Sequence, residues 1–476
     1  MTTRKVIPIA SAPVDAGEVG LYEASRKVYP RSVRGPFARW RWAMVFLTQL
    51  VFYGLPWVQW GERQMVLFDL AARRFYLFGL VLYPQDLIYL SGLLVASAMV
   101  LFLFTAVAGR LWCGYACPQT VYTEIFMWVE QRIEGNRTAR MRLDAEPMSL
   151  EKLVKKWAKH LLWIGIAMWT GFTFVGYFTP VRELGMAFLR TQMGSWEVFW
   201  VFFYGFATYG NAGFMREQVC KYMCPYARFQ SAMFDRDTLI VGYDAGRGEP
   251  RAPRRKGSDA RALGQGDCID CGLCVQVCPS GIDIRQGLQP ECIGCGLCVD
   301  ACGTVMRKMA CAPGLIRYDT HNGMAHGWTR RQLLRRVLRP RVLAYAAILA
   351  LLAGGLLASL VLRAPFKVDV VRDRASLARI VEGGRLENVY RLQVMNATER
   401  AQRYEITARG LDGLAVASDV AHAPVTVDAA QSRWVAVRLQ LPWGAAAPGS
   451  HTVHFDIRQA DDGAQISEKA VFLVPR

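Results

Sequence analysis

The sequence predicts a polytopic α-helical membrane protein with five spans, a cysteine-rich domain between the fourth and fifth, and a C-terminal β-sandwich. Three observations carry this. Five long runs contain no Asp, Glu, Lys or Arg, eight of the 13 cysteines fall in two evenly spaced runs, and the last 113 residues alternate apolar with polar side chains. Composition agrees, since 476 residues that are 53% hydrophobic and only 20% charged exclude a disordered, collagen-like or disulfide-framework chain.

A helix needs about 20 apolar residues to cross a hydrocarbon core of about 30 Å. Residues 42–60, 87–108, 161–181, 198–215 and 342–362 qualify. A buried core helix is the alternative for any one of them, and Gly210, Asn211 and Gly213 loosen the end of the fourth. The short run 75–84, behind Arg73 and Arg74, reads as interfacial or re-entrant.

Charge orients the spans. Segments 1–41, 109–160 and 216–341 hold 37 Lys and Arg against 21 acidic residues, whereas 61–86 and 182–197 hold five of each. Basic residues gather on the cytoplasmic side, so the N-terminus and both large loops are expected there and everything after residue 362 on the opposite face. Of the formal charge of +18, +16 lies in those segments, which argues for topology and membrane lipid rather than nucleic acid. No leader with a cleavable apolar core precedes the first run, which is expected to stay as an anchor. The chain thus divides into a cytoplasmic N-terminal arm (1–41), a four-helix membrane domain (42–215), a cytoplasmic segment (216–341), a fifth transmembrane helix (342–362) and an exported domain (364–476).

All 13 cysteines precede the last span, in segments assigned to the reducing cytoplasm, so metal or redox chemistry is favoured over disulfides. Cys268, Cys271, Cys274 and Cys278-Pro279 form one run, and Cys292, Cys295, Cys298 and Cys302 the other. This spacing suits two [4Fe–4S] clusters, because the short gaps wrap three thiolates around one cube and the fourth comes from the other run. One cluster is assigned to Cys268, Cys271, Cys274 and Cys302, the second to Cys292, Cys295, Cys298 and Cys278. Gly272 and Gly296 let the backbone approach cluster sulfur. Zinc, the alternative, needs only four ligands in two pairs. The second run ends Cys302-Gly303 instead of Cys-Pro, which leaves its last turn less defined. Together the runs resemble a bacterial-type two-[4Fe–4S] ferredoxin domain over 266–303.

Four further cysteines form a repeat. Cys113-Gly114-Tyr115-Ala116-Cys117-Pro118 and Cys220-Lys221-Tyr222-Met223-Cys224-Pro225 each begin five residues beyond a span end and lie 107 residues apart. On one helical turn the two thiols of each motif share a face, and both pairs could then converge on one site suited to Cu(I), zinc or an iron–sulfur centre. Met215 and Met223 are candidate thioether ligands. Simple apolar packing of the paired cysteines is the competing reading. Cys311 reads as a free thiol, and His160 as interfacial.

Residues 364–476 alternate at Tyr390/Leu392/Val394, Tyr404/Ile406/Ala408 and Val453/Phe455/Ile457, among others. Six or seven strands separated by turns such as Asp461-Asp462-Gly463 suit an immunoglobulin-like sandwich with a docking or structural role.

Taken together, the chain resembles the CcoG (FixG/RdxA) family of cytochrome c oxidase accessory proteins, membrane-bound polyferredoxins. The matching features are Leu21-Tyr22-Glu23, Tyr29-Pro30-Arg31, Cys113 to Gln119, Cys220 to Gln230, the two ferredoxin runs, Gly314 to Tyr318 and the exported domain. The resemblance implies a bacterial inner-membrane protein, with its C-terminal domain periplasmic, that helps assemble a C-type haem–copper oxidase. The implied chemistry is reduction of Cu(II) to Cu(I) near Cys113, Cys117, Cys220 and Cys224, with copper as substrate and oxidase subunits or copper chaperones as partners. A cytoplasmic donor would supply the electrons. Two other readings stay open: a NapH/NosR-type respiratory subunit linked to quinol or a reductase, and a non-redox assembly scaffold.

Overall fold

The computed structural model describes residues 27–475 apart from 261, 374–377, 419 and 421–422. The Leu21-Tyr22-Glu23 match and most of the N-terminal arm lie outside the described residues.

Among the described residues two helices are long and apolar enough to cross a membrane, Pro84–Ala108 and Pro340–Val361. They pack antiparallel. Gly92 faces Leu356 so closely that a Cβ at Gly92 would come within 2.5 Å of it, and the Tyr89 hydroxyl meets Ser359 Oγ at 3.1 Å. At one end Arg363 donates to the buried Asp86 at 2.7 Å, with Lys367 on its other oxygen. At the other end Arg339 donates to the carbonyl oxygen of Ala106 at 2.5 Å.

The expectation of five spans is therefore corrected to two candidates among the described residues, and the uncharged apolar length of the other helices is the physical reason. The 42–60 run is helical only over Pro36–Gly54, after which Pro56 opens a short turn and the chain becomes extended at Gln59–Trp60. The 198–215 run is a 15-residue helix, Ser195–Tyr209, that ends in a π-type turn, Gly210–Met215. At 1.5 Å per residue such a helix covers about 22 Å, short of the hydrocarbon core. Helix Leu150–Val175 is long enough, but Glu151, Lys152, Lys155, Lys156 and Lys159 fill its first half, leaving about 15 residues of apolar length. These two helices pack on each other through Gly171, whose missing Cβ makes room for the Val201 carbonyl, and through Gly205 against Met168.

The 61–86 segment, expected to hold an interfacial or re-entrant run, folds instead as an antiparallel meander, Val66–Asp69, Arg74–Leu77 and Leu80–Leu82. Leu67, Tyr76, Val81 and Tyr83 from this segment form one apolar cluster with Met395 and Ala430. The Tyr83 hydroxyl donates to the Asn396 carbonyl at 2.8 Å, and Arg63 pairs with Glu399 at 2.5 Å. The C-terminal domain is thus docked at the Asp86–Arg363 end of the helix pair.

The immunoglobulin-like sandwich is corrected as well. Among the described residues, 366–474 form two open antiparallel sheets, one of five strands and one of four, and neither closes. Long strands dominate, with Arg385–Asn396 pairing along Ser432–Pro442 in one sheet and Gly449–Gln459 along Gln465–Val474 in the other. The strands Ala415–Val416 and Val425–Val427 are too short to carry the edges further. Tyr390, Leu392, Val437, Phe455, Ile457 and Phe472 belong to one buried core between the sheets.

Candidate functional site

The cysteine-rich domain is framed by a two-stranded sheet that pairs Ile240–Tyr243 with Ile316–Asp319. Each cysteine run enters a helix, Leu273–Gln276 in the first and Leu297–Lys308 in the second. The two loops match residue for residue. Asp270 and Gly272 in one, and Gly294 and Gly296 in the other, all take positive φ, a backbone that turns the chain tightly around what lies inside.

Cys268, Cys271, Cys274 and Cys302 line one cavity, together with Leu273, Val305 and Arg285. Cys278, Cys292, Cys295 and Cys298 line a second, walled by Val241, Ile282, Ile284 and Ile293. Cys274 borders both. Each cavity therefore takes three cysteines from one run and the last cysteine of the other. Among the described residues no group of three or more His, Cys, Asp or Glu side chains closes to the spacing of a single metal ion.

Burial pushes Cys274 and Cys278 up to about 11 and Cys292 and Cys302 up to about 12. Cys271 alone of the eight is exposed. Arg285 borders the first cavity but is held by Asp283 at 2.7 Å and by Asp270.

The two C-x-Y-x-C-P motifs are not single helical turns inside longer helices. Cys113 lies on the short helix Leu111–Tyr115, while Cys117 is the extended cap residue of the next helix, Pro118–Glu134, with Pro118 in its first turn. Cys220 lies on a π-type turn, Val219–Met223, and Cys224 caps Pro225–Met233 in the same way. In both motifs the second cysteine marks a helix start, where proline costs no hydrogen bond. Burial first, with Cys117 and Cys220 adding to it and Arg110 opposing it, pushes Cys113 up to about 12. Cys220 is raised to about 11 by burial, with Cys117 and Cys224 as neighbours. Cys113 donates to the buried Gln230 Oε1 at 3.2 Å.

The first motif touches the cysteine-rich domain. Its Gly114 lies against the backbone of Ile293 and Cys295. The Tyr115 hydroxyl donates to the Cys295 carbonyl at 3.1 Å, and that of Tyr318 to the Gly294 carbonyl at 2.6 Å. Arg110 ties the same region together by donating to the carbonyls of Pro290 and Ala227. Tyr222, the counterpart of Tyr115, is exposed, as are Met215 and Met223. Cys311 accepts from Arg254 at 3.3 Å. Sequence reasoning missed Arg110 as part of this site and reached Gln230 and Tyr318 only as the ends of matching segments; for Tyr115 and Tyr222 the shared motif position was the available signal, and it does not separate the half-buried tyrosine from the exposed one.

Comparison with known proteins follows this geometry. A model described as a 4Fe–4S dicluster domain matches residues 215–321, and one described as a 4Fe–4S binding domain matches 90–136, across Cys113 and Cys117. A third, described as the IG-like fold at the C-terminal of FixG, putative oxidoreductase, matches 356–475, the residues that form the two open sheets here. The nitrogen fixation protein FixG of Rhizobium meliloti is 39% identical over 422 residues, covering 82% of this chain and 80% of the relative. The chain belongs to the FixG/RdxA/RdxB family. Protein RdxA of Cereibacter sphaeroides is 37% identical, covering 83% of this chain and 84% of the relative, and RdxB of the same organism is 36% identical over 93% and 94%. Membership gives this FixG-family chain a membrane-associated, iron–sulfur electron-transfer character.

Proposed function

We propose that this FixG-family protein takes single electrons from a cytoplasmic donor and delivers them to cupric ion held near Cys113, Cys117, Cys220 and Cys224. The cuprous product would serve assembly of a C-type haem–copper oxidase. The supporting observation is the seat of the Gly114–Tyr115 turn on the Ile293–Cys295 loop, which joins the motif cysteines to the wall of the second cavity.

Four sulfurs around each cavity suit a [4Fe–4S] cube, Cys268, Cys271, Cys274 and Cys302 holding one and Cys278, Cys292, Cys295 and Cys298 the other. When bound, each cluster supplies a one-electron carrier. The chain's own residues do the rest. Exposed Cys271 opens the first cavity to a donor, Cys274 brings the two cavities into contact, and Val241, Ile282 and Ile293 keep water from the second. Cu(II) needs one electron to become Cu(I), and soft thiolates favour the cuprous state. In this reading the cysteine-rich domain faces the cytoplasm, and residues 364–475 face the periplasm, where they would meet oxidase subunits or copper chaperones.

The 4Fe–4S binding match across Cys113 and Cys117 favours a second reading, in which these thiols themselves hold iron and the protein passes electrons to a respiratory partner. One experiment separates the two. In anaerobically purified protein with Cys113, Cys117, Cys220 and Cys224 all replaced by Ser, cupric reduction should be lost while iron and sulfide stay at the wild-type level. Unchanged cupric reduction eliminates these residues as the copper site, and loss of iron favours the second reading.

A further inference from the structure

A cavity of about 300 Å³ beside the first half of helix Leu150–Val175 takes no part in the cysteine sites. Lys27, Lys159, His160, Trp163, Phe214 and Arg216 border it. Beneath it runs a network in which cations outnumber anions. Glu130, fully buried, receives Arg216 at 2.7 Å, Arg140 at 3.5 Å and Lys27 at 3.6 Å. Glu134 receives Lys156 and Lys159, both at 2.9 Å, and Asp144 receives Lys27 at 2.7 Å and Lys156 at 2.5 Å. Five cations thus meet three carboxylates. Adding Glu217 at the cavity rim still leaves one positive charge over.

Arg216 is the residue at which this surplus meets the cavity. It is only 8% exposed, and its backbone takes a φ of 42°, a conformation costly for a residue with a Cβ. Its Nε donates to the Gly213 carbonyl at 2.9 Å and its Nη2 to Glu130, whereas Nη1 is buried without a partner among the described residues. Trp163 lies under the guanidinium at 5.6 Å, and a Cβ at Gly213 would come within 3.1 Å of that ring. The His160 ring is fixed by Tyr209 at 2.9 Å and stacked on Phe214. Phe214, Trp157, Leu161 and Leu162 are exposed apolar side chains, the kind of surface that acyl chains cover.

We propose that this cavity binds a singly charged phosphate group, carried by an anionic phospholipid or free in solution. One left-over positive charge matches one phosphodiester, and the unpartnered Nη1 is a donor lacking an acceptor. The exposed rings and leucines beside the cavity suit the lipid as carrier.

The test titrates the delipidated full-length protein in detergent with short-chain phosphatidylglycerol, short-chain phosphatidylcholine and inorganic phosphate, following Trp fluorescence and heat. Phosphatidylglycerol should bind saturably and at least about tenfold more tightly than phosphatidylcholine. Both Lys27→Ala and Arg216→Lys should weaken it at least about fivefold. Lys27 is partly exposed, so its variant keeps the question open to test if Arg216→Lys fails to fold. Saturable binding of inorganic phosphate alone, lost in the same variants, assigns the site to the free ion. Equal binding of both lipids, no saturable binding of any probe, or full binding by both variants overturns the proposal.

Discussion

Gly114 and Cys295 are in backbone contact: a Cβ built on Gly114 would lie 3.0 Å from the Cys295 Cα, 3.1 Å from its nitrogen, and 2.8 Å from the carbonyl oxygen of Ile293. The obstacles are backbone atoms, so no rotamer change makes room. Gly114→Ala should push the motif turn off the loop, with overpacking costing about 1–3 kcal/mol. Cupric reduction should fall at least about tenfold while iron and sulfide content hold. Stopped-flow oxidation of the reduced protein by Cu(II) checks this, and a wild-type rate would show that the contact is not part of the route.

The lining of the two cavities predicts which variant loses which centre. Cys278→Ser should abolish the centre shared with Cys292, Cys295 and Cys298, although Cys278 belongs to the other run, and Cys302→Ser the centre shared with Cys268, Cys271 and Cys274. Electron paramagnetic resonance of the reduced protein reads the result. Each variant should lose the broadening that arises from two interacting clusters and keep the signal of one.

Asp86 joins helix Pro84–Ala108 to the C-terminal domain through Arg363 and Lys367, and both it and Arg363 are largely buried. Asp86→Asn removes the counter-charge and leaves that guanidinium buried beside a neutral amide. Breaking a buried pair on one side costs about 3–5 kcal/mol. Proteolysis between residues 361 and 366 should accelerate, whereas the cysteine sites at the far end of the helix pair should keep their iron.

Glu387 supplies a pH dependence. Burial opposes its charge, but hydrogen bonds from Gln440 and Arg379 outweigh this and hold its carboxyl below the ordinary 4.5. A lowered folded value means that the ionised group stabilises the fold at pH above 4.5. That contribution is lost as pH falls from 4.5 through the folded value. Glu387→Gln should remove this part of the acid sensitivity and, at neutral pH, cost about 1–3 kcal/mol for charged hydrogen bonds lost. Hydrogen exchange along strand Arg385–Asn396 in the full chain measures both.

The grouping of the cysteines around two cavities was legible because their spacing is regular: three short gaps wrap a loop, and the fourth thiol comes from the other run. Helix length was not legible in the same way, because an uncharged run does not say where its helix stops. Pro56 ends one run early, the π-type turn after Tyr209 ends another, and both are local backbone events inside apolar sequence. The meander at 66–82 was hidden for a different reason: its value lies in the partner surface of Met395 and Ala430, more than 300 residues away. The signal was present in Phe75, Tyr76 and Leu77 and in Leu80–Leu82, two apolar stretches on either side of Phe78-Gly79. The buried charges on helix Pro118–Glu134 were not legible, because the partners of Glu130 and Glu134, Arg216 and Lys159, come from other segments of the chain.

The most direct test of the central claim is the iron and acid-labile sulfide content of anaerobically purified protein, measured beside its electron paramagnetic resonance spectrum. Brown protein with iron and sulfide sufficient for at least two [4Fe–4S] clusters per chain, both reducible, is the predicted result. A colourless preparation free of iron would contradict it, leaving the paired cavities and the Gly114–Cys295 contact as packing alone.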